Sequence, residues 1–209
     1  MYIEYMSDSA KQHWNKTYKA RKMVSTLDYA KNAYIRLQSK PGCSLLDIGC
    51  GDGRDSIFFS QQGLKVTAID FSEEAVSRLR TAFPIMNALV MDILNMDFPD
   101  ASFDAAYAHL TLHYFDDLTT QAVFANIHRM LKPDGFFFIR CKSVEDPLYR
   151  KGQEVGEDMF LLEHTRHFFS KEYMMEKLHD FEILSLGETV SPYDGKQSFF
   201  VEAVAQKRR

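Results

Sequence analysis

The chain has 209 residues, 45% of them hydrophobic, and a net charge of −4. That suits one α/β domain with an appended segment and a full core, and it argues against a broad nucleic-acid-binding face, which needs a basic surface. Three cysteines without metal or redox spacing (Cys43, Cys50, Cys141), no cationic start leading into an apolar stretch, and no apolar run near the ~20 residues that span a membrane lead us to expect a reduced, cytoplasmic chain outside the membrane.

In chain order, residues 8–39 read as two polar helices interrupted near Lys22, with Trp14 and Tyr18 four apart and so on one face. Pro41 and Gly42 end this region. Apolar runs then alternate with helical patterns: strand 43–48, helix 54–62, strand 64–69, helix 72–82, strand 88–91, strand 103–108, helix 117–131 and strand 136–141. Gly63 is a C-cap and Ser72 an N-cap in this reading. Val123, Ile127, Met130 and Leu131 form the buried stripe of the 117–131 helix. Such alternation predicts a Rossmann-like α/β fold, a parallel sheet with crossover helices. Residues 142–169 lose the period and read as an insert, a functional loop or lid. Ser170 opens a last helix to about His179. Strands over 181–186 and 197–205 flank a Ser-Pro-Tyr-Asp-Gly turn at 191–195 as a hairpin, with the final strand antiparallel.

The chemistry concentrates at residues 45–53, Leu-Leu-Asp-Ile-Gly-Cys-Gly-Asp-Gly. An apolar run ending in glycines at every second position, followed by a helix, starts a nucleotide-binding βαβ unit. A dinucleotide would place its pyrophosphate on the helix N-terminus and favours Gly-x-Gly-x-x-Gly. Here Gly53 comes one position early and Arg54 follows it, while Asp47, Asp52 and Asp55 surround the bend. Like charges ~4 Å apart repel by about 4 kcal/mol at an effective dielectric of about 20, so a pyrophosphate is disfavoured. S-adenosylmethionine, with a sulfonium and an ammonium and no phosphate, suits an acidic rim, and Arg54 or the loop N–H groups are available for its carboxylate. Asp70, ending the second strand, is placed for ribose hydroxyls. Asp92, ending the third, is placed for an adenine amino group, with Ile93 against the ring.

These residues, with Phe103-Asp104 through Leu112-His113 and Pro133-Asp134-Gly135 before the fifth strand, resemble the class I S-adenosylmethionine-dependent methyltransferases over roughly residues 25–141. The resemblance implies a seven-stranded sheet in the order 3-2-1-4-5-7-6. It implies that Gly49, Gly51 and Gly53 hold the methionine part, Asp47 the ammonium, Asp70 the ribose and Asp92 the adenine. Cys50, Arg54, Phe71, Ile93 and Ala108 complete the expected cofactor set. Gly53-Arg54-Asp55, the stretch from Tyr149, and His164 through Phe169 look like a bacterial small-molecule branch that includes the tellurite-resistance methyltransferases. The implied division is an N-terminal segment, 1–40, over the active site, and a methyltransferase domain, 41–209, with an insert at 142–169.

Methyl transfer needs a base only when the acceptor must lose a proton. His109 and His113, at the end of the fourth strand, are the candidates. Trp14, Tyr18, Tyr114, Tyr149, Phe168 and Phe169 are candidate walls for a small-molecule acceptor. His164 and His167 lack a third ligand, so no metal is expected. A protein or RNA acceptor, a nicotinamide-dependent oxidoreductase and a non-catalytic cofactor-binding module are the competing readings. Oligomeric state is not set by the sequence.

Overall fold

A computed structural model describes residues 8–20, 28–193 and 195–209. Its elements run α1 (Asp8–Ala20), α2 (Asp28–Leu37), β1 (Ser44–Ile48), α3 (Arg54–Gln61), β2 (Lys65–Asp70), α4 (Glu73–Ala82), β3 (Asn87–Val90), β4 (Phe103–His109), α5 (Asp117–Met130), β5 (Leu131–Lys142), β6 (Gln153–Gly156), β7 (Met159–Leu161), β8 (Thr165–His167), α6 (Lys171–Lys177), β9 (Phe181–Tyr193) and β10 (Lys196–Lys207). The break near Lys22 and Asp194 of the 191–195 turn lie outside the described residues.

The main sheet has the order β3-β2-β1-β4-β5-β10-β9, which is the order expected. Strands β1 to β5 pair in parallel, and β10 runs antiparallel to both β5 and β9. Strand alternation divides the core between the two faces. Leu46, Ile48, Ala106, Ala108 and Ile139 pack on one side with α5 residues Val123, Phe124 and Ile127. Leu45, Ala68, Ala105, Tyr107 and Phe138 pack on the other with α2, Phe59 of α3 and Leu79 of α4. Helix starts follow from capping: Ser72, Asp116 and Ser170 accept from the N–H groups of Ala75, Thr119 and Tyr173. Because the strands are parallel, the ends of β1, β2, β3 and β4 all open toward one edge.

Two expectations need correcting. The 142–169 insert is not an irregular loop. It carries a three-stranded antiparallel sheet, β6-β7-β8, whose strands of three and four residues are too short to show a period in the sequence. The hairpin strands are also much longer than predicted, because β9 and β10 stay paired from Lys207–Phe181 out to Lys196–Tyr193. That extension carries Tyr193 to the sheet edge where the parallel strands end.

Candidate active site

A solvent-connected cavity lies at that edge. Its floor is the bend after β1. Gly49 and Gly51 have φ of 69° and 57°, a region L-residues avoid. A Cβ on Gly49 would stand 2.1 Å from the Thr111 hydroxyl, and one on Gly51 2.5 Å from the Tyr18 hydroxyl. Positive φ favours glycine at both positions, and at Gly49 the short Thr111 side chain also leaves no room for a Cβ.

Two buried carboxyls close the bend. Asp47 is 2% exposed and accepts from the Ser56 hydroxyl. Burial, opposed by that hydrogen bond and reinforced by the charge of Asp55, raises its pKa to about 7. Asp70 is 4% exposed, and burial raises it to about 6 against the backbone N–H groups of Ser72 and Gly51. These two donors lie at 2.8 and 2.9 Å. Each Asp70 oxygen thus takes one backbone bond and keeps acceptor capacity for a ligand. Asp92 accepts from the Leu94 N–H at 2.8 Å, capping the short turn Ile93–Asn95, and also lines the cavity. Asp92 thus caps the turn and faces the cavity at once.

Arg54, in the first turn of α3, faces the cavity with its guanidinium held by a neighbour. Its Nε and Nη2 donate to the two oxygens of Asp55 at 2.9 and 2.7 Å. The Tyr107 hydroxyl donates to Asp55 at 3.0 Å. Burial pushes Asp55 up, but this fork and the Arg54 charge overcome it and hold the carboxyl below its ordinary range. A fork closed on a neighbouring carboxylate gives poor purchase for a second anion, so the loop amides are the better partners for a ligand carboxylate.

The roof comes from α1. Trp14 and Tyr18 line the cavity together with Tyr114, and Trp14 sits 6.0 Å from Tyr18 and 5.8 Å from Tyr114, ring to ring. The helix is tied to the start of α4. Asn15 accepts from the Ser72 hydroxyl at 2.6 Å, Lys11 pairs with Glu73 at 2.7 Å, and Arg78 donates to the Tyr18 carbonyl at 2.5 Å.

Of the residues singled out in the sequence, the cavity gathers Trp14, Tyr18, Asp47, Gly49, Cys50, Gly51, Arg54, Asp70, Phe71, Asp92, Ile93, His109 and Tyr114. Burial pushes the Cys50 thiol well up, so it lines the bend as a neutral group. Six expected residues lie elsewhere. Gly53 is needed because a Cβ would meet Leu79 at 2.2 Å, a packing requirement between loop and α4. Ala108 points into the core on the α5 side. His113 is 1% exposed and outside the cavity, because the chain turns at Leu112–Tyr114 and puts it under Tyr114, 4.4 Å ring to ring. Burial, then the charges of Arg166 and Lys142, depresses its pKa well below the usual histidine range. Tyr149 and Phe168 pack with Phe160 as a separate aromatic group beneath the small sheet, and Phe169 is buried against His167 and Tyr173.

The cavity also recruits Asp52, Asp55, Tyr107, Leu110, Thr111, Phe115 and Tyr193 as lining. Thr111 follows from the position of Gly49, whose missing Cβ it covers. Leu110 carries φ 56° where the chain leaves β4. Tyr193 has no local signal, since only the length of the β9–β10 ladder brings it here.

Comparison with known proteins agrees with this geometry. Residues 45–135 match a family model described as a methyltransferase domain. An uncharacterised methyltransferase of Synechocystis is 29% identical over 48% of this chain and 48% of its own length. The chain spans about half the length of the curated relatives it matches. Among solved structures, a S-adenosylmethionine-dependent methyltransferase of Methanosarcina mazei superposes with a TM-score of 0.77 at 21% identity, covering 88% of this chain and 99% of the other. A 1,6-didemethyltoxoflavin-N1-methyltransferase of Burkholderia thailandensis, with bound 1,6-didemethyltoxoflavin and S-adenosylhomocysteine, gives 0.73 at 20% identity over 96% and 85%. TehB of Haemophilus influenzae gives 0.70 at 18% over 95% and 67%.

Proposed function

From a chain that carries a methyltransferase domain over residues 45–135 and has the fold of the class I S-adenosylmethionine-dependent methyltransferases, we propose an enzyme that transfers a methyl group from S-adenosylmethionine to a small molecule. One observation carries this reading. A positive-φ glycine bend is flanked by the buried carboxyls Asp47 and Asp70, while the cation beside it, Arg54, is held by Asp55. Such a bend receives a cationic nucleoside and repels a pyrophosphate, which favours this cofactor over a nicotinamide dinucleotide.

In this reading Gly49, Cys50 and Gly51 cradle the methionine part and Asp47 takes its ammonium. Asp70 accepts from the ribose hydroxyls, and Asp92 with Ile93 holds the adenine. Bound there, S-adenosylmethionine supplies a methyl group on a positively charged sulfur and leaves as S-adenosylhomocysteine; the protein's task is to hold donor and acceptor in line.

The acceptor side is the wall of Trp14, Tyr18, Tyr114 and Tyr193, with α1 acting as cover, the rest of the 1–40 segment including residues outside the described ones, and with His109 as the polar group near the acceptor. Aromatic walls facing the glycine bend across one cavity suit a compact partner held beside the cofactor. The Burkholderia neighbour, which binds such a molecule beside S-adenosylhomocysteine, supports this class. Cys43, Cys50 and Cys141 are free thiols, and no helix among the described residues is long and apolar enough to cross a membrane; we place the enzyme in the cytoplasm on the thiols. Titration calorimetry tests the cofactor. S-adenosylhomocysteine is expected to bind and NADH is not, and binding of NADH alone would reject the proposal.

A further inference from the structure

His109 ends β4 on the α3 side of the sheet. Its ring lies parallel to Tyr107, 6.4 Å between centroids and 12° between planes, and 5.8 Å from Tyr29 of α2. These contacts fix the plane of the imidazole. Its Nδ1 lies 3.5 Å from Nη2 of Arg54. A guanidinium has only donors and keeps its charge at any working pH, so the imidazole nitrogen facing it must present a lone pair. A protonated Nδ1 would set donor against donor. A neutral imidazole has one lone pair in its plane and one N–H, so Arg54 occupies the lone pair and the proton resides on Nε2. Asp55 in turn fixes Arg54 through both of its oxygens and is itself held by the Tyr107 hydroxyl.

We infer that Arg54 is a positioning residue that locks His109 in the Nε2–H tautomer, and that the acceptor is therefore of the class whose receiving atom carries no proton to be lost: an aromatic ring nitrogen, a thiolate or a carboxylate, in preference to an alcohol. The inference rests on the methyltransferase reading. In its locked state His109 has no electron pair left to take a proton, and it serves the cavity as a donor. His113, the other histidine expected to act as base, lies outside the cavity. Asp55 has both oxygens engaged, and Asp47 and Asp70 belong to the glycine bend. Among the described residues, an acceptor that had to lose a proton meets no histidine lone pair at the end of β4 to take it. An acceptor whose receiving atom carries no proton needs none: a lone pair on that atom forms the new bond to the methyl carbon, the carbon–sulfur bond breaks with its electrons passing to sulfur, and no proton changes hands.

The tautomer can be read directly in the full-length protein labelled with ¹⁵N-histidine, by long-range ¹H–¹⁵N correlation at pH 8, with and without S-adenosylhomocysteine. His109 is assigned by the signals lost in His109→Gln. A pyridine-type Nδ1 and a pyrrole-type Nε2 are expected. In Arg54→Gln, whose amide can accept as well as donate, population is expected to move toward Nδ1–H. An Nδ1–H tautomer or an imidazolium in the wild-type chain would overturn the inference, as would a tautomer indifferent to Arg54→Gln; if that variant does not fold, the wild-type spectrum decides alone. The spectrum needs neither turnover nor cofactor. A locked tautomer in a chain that fails to bind S-adenosylhomocysteine would reject the methyltransferase reading, and the acceptor class with it, while leaving the Arg54–His109 pairing in place.

Discussion

The bend at residues 49–53 and the wall of Trp14, Tyr18, Tyr114 and Tyr193 face the same cavity, but they are specified at different scales. The bend is local. Its glycines, its buried Asp47 and the helix that follows lie within one βα unit, and each residue type is dictated by backbone geometry or by a neighbour a few positions away. The wall is assembled from α1, the turn after β4 and the end of β9, so its members meet only after the sheet has closed. A βα unit that binds a common cofactor tolerates little change, whereas a wall drawn from three distant segments can vary with the acceptor while the cofactor side stays as it is.

The largest effect that would break this contrast is expected at Gly49. Gly49→Ala puts a methyl group 2.1 Å from the Thr111 hydroxyl in a backbone region of φ 69°. Left-handed backbone costs a non-glycine residue about 1–2 kcal/mol, and overpacking about 1–3 kcal/mol more. A stability loss of about 2–5 kcal/mol in urea unfolding is expected, with loss of S-adenosylhomocysteine binding. A loss below ~1 kcal/mol with binding retained would mean that the bend is not tightly specified.

The second effect is a pH dependence of cofactor affinity. Asp47 titrates near 7 in the ligand-free chain because burial penalises its charge. An ammonium beside it favours the ionised form, so binding below pH 7 must expel a proton. Affinity is then full above about pH 7 and falls as pH drops. With one proton linked, the loss from pH 7.5 to pH 6 is about tenfold. Asp70, near 6, adds a smaller fall at the acid end. Asp47→Asn should bind more weakly at pH 7.5 and lose most of the slope. Calorimetry in buffers of different ionisation enthalpy reads both the affinity and the released proton; an unchanged slope in Asp47→Asn would remove Asp47 from the ammonium site.

The same division of scale explains what was legible in the sequence. The alternation of strands and helices, the glycine bend and the acids after β2 and β3 could be read because each follows from a short pattern (an apolar run, a turn residue, a cap), whereas the strand order came only through the family resemblance. His113 was misplaced because the end of the fourth strand alone does not set its direction: the chain at Leu112–Tyr114 makes a short turn in which His113 has non-helical φ and ψ. Tyr193 was missed because the extent of the β9–β10 pairing decides its position, and periodicity does not report where a ladder stops. Tyr149 and Phe168 were assigned to the cavity because the family resemblance set the insert over that end of the sheet, and the small sheet gives them a core of their own.

That satellite core yields the smallest and most discriminating effect. The Tyr149 hydroxyl donates to Asp158 at 2.5 Å, and its ring packs edge-on to Phe160 and Phe168 at 5.4 and 5.6 Å. Tyr149→Phe keeps the ring and deletes one hydrogen bond, a cost of about 0.5–1.5 kcal/mol. Because the insert meets the cavity wall from behind, through His164 against Trp14 and Tyr114 and through His167 bonded to the Phe115 carbonyl, the loss should appear in unfolding and not in S-adenosylhomocysteine affinity. A change in affinity with stability unaltered would place Tyr149 in the cavity after all, and the wall would then be built from four segments with the insert as a working part of it.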